Sequence, residues 1–335
     1  MINIAIVGLG HWGKNYVRTF QSIEGVTIKY LVDASKESLV RFSGLEIKLS
    51  QNYQEVIDSA DVDAVVIATP ASMHYDLIKM ALIRGKDVLA EKPITLSSKQ
   101  AIELTELAGA GKRILMVGHT FLYNNAILKL KELINSSDFG RTYYLNATRT
   151  HLGLIRSDVS SVWDLAPHDL SIFNYVLNAL PIAVSAIGAC HLGTKNHDVA
   201  FINLIYPNEV VANIHVSWED SNKERTIRVV GERMRVVFND MDNLERIKIF
   251  HKGVSLNTNP DFNGLHQVQL RDGDIYSPNI QASEPLYEMC KHFLACVVDR
   301  VNPRSSGIDG ANVVKILEAI TQSIKEHGQT VQITQ

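Results

Sequence analysis

The sequence predicts an α/β chain: a doubly wound parallel sheet at the N-terminus, then an α+β domain on a large, mostly antiparallel open sheet. Three observations carry this. An apolar run, Ile2-Asn3-Ile4-Ala5-Ile6-Val7, leads directly into Gly8-Leu9-Gly10-His11-Trp12-Gly13. Short β-branched runs then alternate with amphipathic stretches as far as residue 117. Beyond about residue 180, strand-like runs follow one another with little helix between them. The expected division is 1–120 and 121–335.

The first run has the near-continuous apolar character of a buried parallel strand. The three glycines after it supply the tight turn, the close backbone approach and the helix–strand packing that a dinucleotide pyrophosphate needs. A helix over 14–21 would point its N-terminal N–H groups and dipole at the phosphates. A second strand, 26–32, ends in Asp33, about 20 residues past the last glycine, where an acidic residue binds ribose hydroxyls. Strand, glycines, helix, strand and terminal Asp in this order mark a Rossmann dinucleotide-binding domain. The Asp33 carboxylate accepts hydrogen bonds from a 2′-hydroxyl and repels a 2′-phosphate, which favours NAD. Lys36 and Arg41 nearby leave NADP open.

The alternation continues with a helix at 35–42, a strand at 46–49, a helix at 53–59 and a buried strand at 64–68. Apolar spacing predicts a helix over 72–84, stopped by Gly85. A strand at 87–90 leads into Glu91-Lys92-Pro93. Ser97 and Gln100 have the spacing of a capping box for a helix through residue 108, and a strand at 113–117 completes the sheet. The second domain begins with a helix over 124–135 and a strand over 141–152. A helix follows over 163–178, with Pro167 in its first turn. Six strand-like runs (182–189, 199–206, 210–218, 226–230, 234–238 and 246–250) then form the antiparallel sheet. Residues 257–283 read as polar loop, and helices over 284–300 and 309–327 end the chain.

Composition narrows the function classes. A 335-residue chain is long enough for two proper cores, and 46% hydrophobic with 21% charged residues is ordinary for a globular protein. A formal net charge of −3 gives no electrostatic case for nucleic acid or an acidic membrane surface. Cys190, Cys290 and Cys296 form no CxxC pair, so reduced thiols are expected and a metal site is not. With no apolar run of membrane-spanning length, and a first strand beginning at residue 2, the expectation is a cytoplasmic protein.

In an open α/β sheet a ligand lies across the carboxyl ends of the strands. Ala68-Thr69-Pro70, Glu91-Lys92-Pro93 and Gly118-His119-Thr120 leave such ends and should edge the cofactor. A Lys92-Pro93 turn would hold Lys92 as a fixed cation at the nicotinamide end. Asp164 and His168, four apart, can share a helix face. Hydride removal from a secondary alcohol needs a base for the hydroxyl proton, and a histidine, ordinarily of pKa about 6.5, suits that work. A neighbouring carboxylate would orient it and stabilise the imidazolium, and a lysine cation would favour the developing alkoxide. The plainer alternative makes Asp164 a helix N-cap and His168 a satisfied interface histidine.

Together Gly8-Leu9-Gly10-His11-Trp12-Gly13-Lys14-Asn15, Ala68-Thr69-Pro70 with His74, Glu91-Lys92-Pro93 and Asp164-xxx-His168 resemble the glucose–fructose oxidoreductase/inositol dehydrogenase (Gfo/Idh/MocA) family over essentially the whole chain. The resemblance implies NAD(P)-dependent oxidation or reduction of a sugar or cyclitol hydroxyl. It assigns catalysis to Lys92, Asp164 and His168. It places the dinucleotide against Gly8, Gly10, His11, Trp12, Gly13, Asp33, Thr69, Pro70, His74, Glu91, Lys92 and Trp163. The sequence departs from the common pattern at Ser171, where many members have Asp, and at Ala166, where glycine is frequent. Residues 118–124 and 163–169 are more similar to members acting on nucleotide sugars, which implies oxidation of the C3 hydroxyl of a UDP-N-acetylglucosamine-like substrate to a 3-keto sugar. A keto-sugar reductase, a free-sugar or inositol dehydrogenase, an NAD-assisted glycoside hydrolase and a non-catalytic NAD(H) sensor are the alternatives. A substrate diphosphate would need cations, for which Arg149, His151 and Arg156 are candidates; Phe121 and Tyr123 would wall the sugar pocket. His151 lacks the neighbours of a metal ligand. The expected partners are a small nucleotide-sugar or sugar substrate and a second copy of the chain, as a homodimer or homotetramer through the C-terminal sheet.

Overall fold

Strands apolar on both sides pair into the N-terminal sheet. In the computed structural model, which describes residues 1–153, 155, 159–193, 196–257 and 267–334, six strands lie parallel. They are β1 (Ile2–Val7), β2 (Val26–Val32), β3 (Lys48–Ser50), β4 (Ala64–Ile67), β5 (Asp87–Ala90) and β6 (Leu115–Val117), in the order β3-β2-β1-β4-β5-β6. Every residue of β4, β5 and β6 is buried, and each fully buried Val or Ile contributes roughly 1.5–3 kcal/mol. The helices between them are α1 (His11–Gln21), α2 (Lys36–Val40), α3 (Tyr53–Asp58), α4 (His74–Ile83) and α5 (Ser98–Ala110).

Several boundaries differ from expectation for local reasons. The first helix starts at His11, three residues early, because Gly10 serves as its N-cap. Helix α2 is shorter than predicted and is capped by the Ser35 hydroxyl, which accepts from the Ser38 N–H. Gly85 does stop α4, at φ +71°. The capping box at Ser97 does not form: Ser97 is the N-cap without a side-chain bond, while the Thr95 hydroxyl donates to the Ser97 carbonyl.

The later elements are α6 (Asn125–Ile134), β7 (Thr142–Thr150), α7 (Ser161–Leu177), β8 (Ala183–Ala189), β9 (Val199–Ile205), β10 (Val211–Ser217), β11 (Glu224–Gly231), β12 (Arg235–Asn239), β13 (Ile247–Phe250), β14 (Gly253–Asn257), β15 (Gln267–Arg271), β16 (Ile275–Tyr276), α8 (Pro285–Asp299), α9 (Gly307–Lys325) and β17 (Val331–Gln332). Nine of these strands form one sheet, β16-β13-β12-β11-β7-β10-β9-β8-β17, in which only β7 and β10 run parallel. Helix α7 covers one face, packing on β7, β9 and β10. On the other face, among the described residues, Tyr144, Phe201, Ile205 and Val211 are exposed. The stretch read as loop instead contains β15, which pairs antiparallel with β14 just before it, and β16, because Gln267-Val-Gln-Leu-Arg271 alternates like a strand.

The chain divides into two compact units, Met1–Tyr123 with Ser283–Lys315 and Asn124–Ala282 with Ile316–Gln335. The division near 120 therefore omits a return of the chain. Helix α8 packs on α1 and on the turn at 120–123. Arg300 places Nη1 at 2.8 Å from both carboxylate oxygens of the buried Asp87, and the Ser305 hydroxyl donates to the Val117 carbonyl at 2.7 Å. An apolar helix face carries no label saying which core it joins. Among the described residues, no helix is long and apolar enough to cross a membrane.

Candidate active site

In the first unit, the turn after β1 owes its shape to glycine. Gly8 has φ +87°, and a Cβ there would lie 2.8 Å from the Ala68 carbonyl; a Cβ on Gly13 would overlap the Gly8 carbonyl oxygen. Gly10 is different: a Cβ would meet nothing within 4 Å. Protein packing therefore does not require glycine at this N-cap, whereas a phosphate approaching the first N–H groups of α1 does. Asp33 closes the same turn, accepting from the Leu9 N–H at 2.7 Å on Oδ2 and from the Ser35 N–H at 2.8 Å on Oδ1. Each oxygen keeps acceptor capacity for ribose hydroxyls. His11 and Trp12 stand exposed on the first turn of α1, their rings edge to face at 5.8 Å. These residues fit NAD.

At the carboxyl ends of β4 and β5, two loops are stapled together. His74, 1% exposed, places Nδ1 at 2.8 Å from the Pro93 carbonyl and Nε2 at 2.9 Å from the Thr69 carbonyl. Burial lowers its pKa, opposed by both backbone contacts; a neutral ring donates to only one carbonyl at a time. Glu91 is buried and accepts from the Tyr16 hydroxyl at 2.8 Å and from the Lys92 N–H at 3.2 Å. Burial raises the pKa of its carboxyl despite those bonds and the Lys92 charge, and burial with the Glu91 charge raises that of Tyr16. His74 and Glu91 thus hold the loops in shape from within. Pro70 is exposed, Thr69 and Lys92 are half-buried, and the Lys92-Pro93 peptide is cis.

Past β6, Phe121 is half-buried, but Tyr123 departs from its expected place on a sugar pocket. It is 2% exposed, hydrogen-bonded to Ser305 at 3.0 Å and covered by the Arg304 guanidinium at 4.9 Å from its ring. A tyrosine that finds both an apolar niche and a hydroxyl partner is held in a core. The same strand end holds His119, which sequence reasoning left among the cofactor-edging residues without singling it out. It is 1% exposed, and burial with the Lys92 charge pushes its pKa down to about 3.

In the second unit, α7 carries the other candidates. The Ser160 hydroxyl caps it by accepting from the Trp163 N–H at 3.4 Å, so Pro167 falls in the second turn rather than the first. Asp164 is therefore inside the helix and is not its N-cap. Val162, Leu165, Ala166, Asp169, Leu170 and Phe173 are buried, while Asp164 and His168 stay half-exposed one turn apart on the remaining face. The Trp163 indole N–H donates to Thr321 at 3.0 Å, and the Ser171 hydroxyl donates to the His168 carbonyl at 2.8 Å.

Arg149, read as a diphosphate ligand, has a partner in the fold. Its Nε and Nη2 donate to the two oxygens of Asp169 at 2.8 Å each, with side chains 4% and 1% exposed. Such a paired, desolvated guanidinium pins α7 to β7 through the residue beside His168. His151 continues β7, its N–H donating to the Ser217 carbonyl at 3.1 Å. Arg156 lies outside the described residues.

Comparison with known proteins identifies the family and the fold. Residues 2–119 match the family model described as "Oxidoreductase family, NAD-binding Rossmann fold", and residues 127–237 match the GFO/IDH/MocA C-terminal domain. The UDP-N-acetylglucosamine 3-dehydrogenase of Acidithiobacillus ferrooxidans is 29% identical over 82% of this chain and 85% of its own. The scyllo-inositol 2-dehydrogenase (NAD(+)) of Bacillus subtilis is 26% identical over 99% of this chain and 96% of its own. Among solved structures, GenD2 from gentamicin A biosynthesis, in complex with NAD, superimposes with a TM-score of 0.83 at 19% identity, covering 100% of this chain and 97% of that one, a likeness of fold.

Proposed function

The chain belongs to the GFO/IDH/MocA family of NAD-binding oxidoreductases, and on that premise we propose that it oxidises the C3 hydroxyl of a UDP-N-acetylglucosamine-like sugar to a 3-keto sugar. The observation that carries the chemistry is the i, i+4 placement of Asp164 and His168 on the half-buried face of α7, beside the Arg149–Asp169 ion pair. The substrate reading is supported by the similarity to the A. ferrooxidans enzyme across most of both chains.

NAD, when bound, supplies the hydride acceptor. Gly8, Gly10 and Gly13 would admit its pyrophosphate to the N-terminus of α1, and Asp33 would hold the ribose hydroxyls. His168 takes the proton of the reacting hydroxyl on its imidazole as the C–H hydride leaves. Asp164 orients that ring and favours the imidazolium, and the Lys92 ammonium lowers the energy of the developing alkoxide. The decisive experiment is an NADH-absorbance screen over UDP-sugars, free sugars and inositols, with an aminotransferase or 2-oxoglutarate present to draw off product or held NADH. NADH formation with UDP-N-acetylglucosamine and not with free sugars or inositols is the expected result. Activity confined to inositols would transfer the assignment to the second reading, a free-sugar or inositol dehydrogenase, which is favoured by the B. subtilis relative spanning nearly the whole chain.

The open face of the nine-stranded sheet supports self-association. Asn203, Asn213, Asn146 and Arg228 form a hydrogen-bonded row at 2.8–3.1 Å across four strands. Exposed Ile187, Phe201, Ile205, Val211 and Tyr144 flank it, an apolar surface of the kind that marks an interface. Sedimentation should find a homodimer or homotetramer that Phe201→Glu dissociates; a monomeric wild type would refute this.

A further inference from the structure

The carboxyl edge of the parallel sheet holds a histidine whose hydrogen bonding is unaccounted for. Neither ring nitrogen of His119 reaches solvent or has a hydrogen-bond partner among the described residues. Buried polar side chains are nearly always paired, so a ring left bare at both nitrogens needs an explanation.

Its place in the sheet supplies one. Ala90 of β5 pairs with Val117 of β6, and the Gly118 N–H donates to the Ala90 carbonyl at 2.7 Å. Counting outward along both strands brings His119 level with Lys92. A Cβ on Gly118 would lie 3.3 Å from Glu91, so the two strand ends run close together. Asp33 at the end of β2 and the glycine turn after β1 claim the ribose and the pyrophosphate. The rest of a dinucleotide must then extend along the sheet edge towards β4, β5 and β6. The nicotinamide ring and His119 thus belong to the same edge. The ring is kept neutral there by burial and by the Lys92 charge, and a neutral imidazole offers one N–H and one lone pair, the complement of a primary amide.

We propose that His119 binds the carboxamide of the nicotinamide ring, exchanging a hydrogen bond with that amide and fixing the rotation of the ring. This rests on the assignment of NAD to the first unit and names the residue that reads its reactive end.

Calorimetric titration of NAD, of ADP-ribose and of a dinucleotide carrying hydrogen in place of the carboxamide tests this. In the wild-type protein NAD should bind roughly three- to tenfold more tightly than the carboxamide-free dinucleotide, the worth of one net hydrogen bond. His119→Leu should erase that preference and His119→Asn should restore part of it, while ADP-ribose binds all three proteins alike. Equal wild-type affinity for NAD and the carboxamide-free dinucleotide would overturn the proposal. So would a loss in His119→Leu that is the same for all three ligands, which would mark a purely structural residue or one satisfied by trapped water. Failure of the wild type to bind ADP-ribose would instead overturn the cofactor site itself, and this inference with it.

Discussion

The two sheets solve the burial problem in opposite ways. Strands β4 to β6 hide every residue, whereas β9 alternates, burying Ala200, Ile202 and Leu204 and exposing Phe201, Asn203 and Ile205. A sheet closed on both faces leaves only its carboxyl edge for ligands, and the first unit places Gly10, Asp33, Lys92 and His119 there. A sheet covered on one face has a second surface to offer, and the covering helix α7 carries the candidate chemistry.

That contrast can be broken most severely where α7 meets its sheet. Arg149→Ala should cost roughly 3–5 kcal/mol in denaturant unfolding, because Asp169 would be left as a buried unpaired carboxylate; a loss under about 1 kcal/mol would contradict the burial of the pair. His168→Ala tests chemistry on the half-buried face of the same helix. Turnover should drop by about two orders of magnitude or more with NAD affinity and stability unchanged, and near-wild-type turnover would remove His168 from the mechanism.

The closed sheet is probed by its glycines. Gly13→Ala should destabilise the fold by about 1–3 kcal/mol through overlap with the Gly8 carbonyl. Gly10→Ala should leave stability within about 0.5 kcal/mol yet weaken NAD roughly tenfold, since its Cβ meets only the space the pyrophosphate needs. Matching losses of stability in the two variants would show that Gly10 serves packing alone. Acid probes the same sheet edge. The unfolded chain protonates His119 below about pH 6.5, but the folded chain does so only near pH 3. Stability should therefore fall on acidification across that window by up to ~1.4 kcal/mol per pH unit from this residue. Wild type minus His119→Asn in pH-dependent melts isolates the contribution, and parallel curves would contradict the buried neutral ring.

Much of the first unit was legible because its rules are local. A strand, three spaced glycines and an acid at the end of the next strand leave little freedom, and the predicted strands and Gly85 stop stand within a few residues of those observed. What proved illegible depended on partners distant in sequence. Tyr123 reads equally well as pocket wall or core until Ser305 and Arg304 are beside it. Arg149 reads as a phosphate ligand until its Nε and Nη2 are seen to pair with the buried Asp169. Pro167 was placed a turn early because Ser160 could not be recognised as the cap.

The amino-acid order alone determined the parallel sheet, the dinucleotide turn and the i, i+4 spacing of Asp164 and His168, since periodicity and glycine chemistry act over a few residues. Tertiary structure decided which charges are spent inside the fold, that α8 returns to the first unit while α9 is divided between the two, and that His119 is sealed without a partner. These depend on contacts between segments far apart in the chain, where burial sets the energy of a polar group and no local pattern reports it.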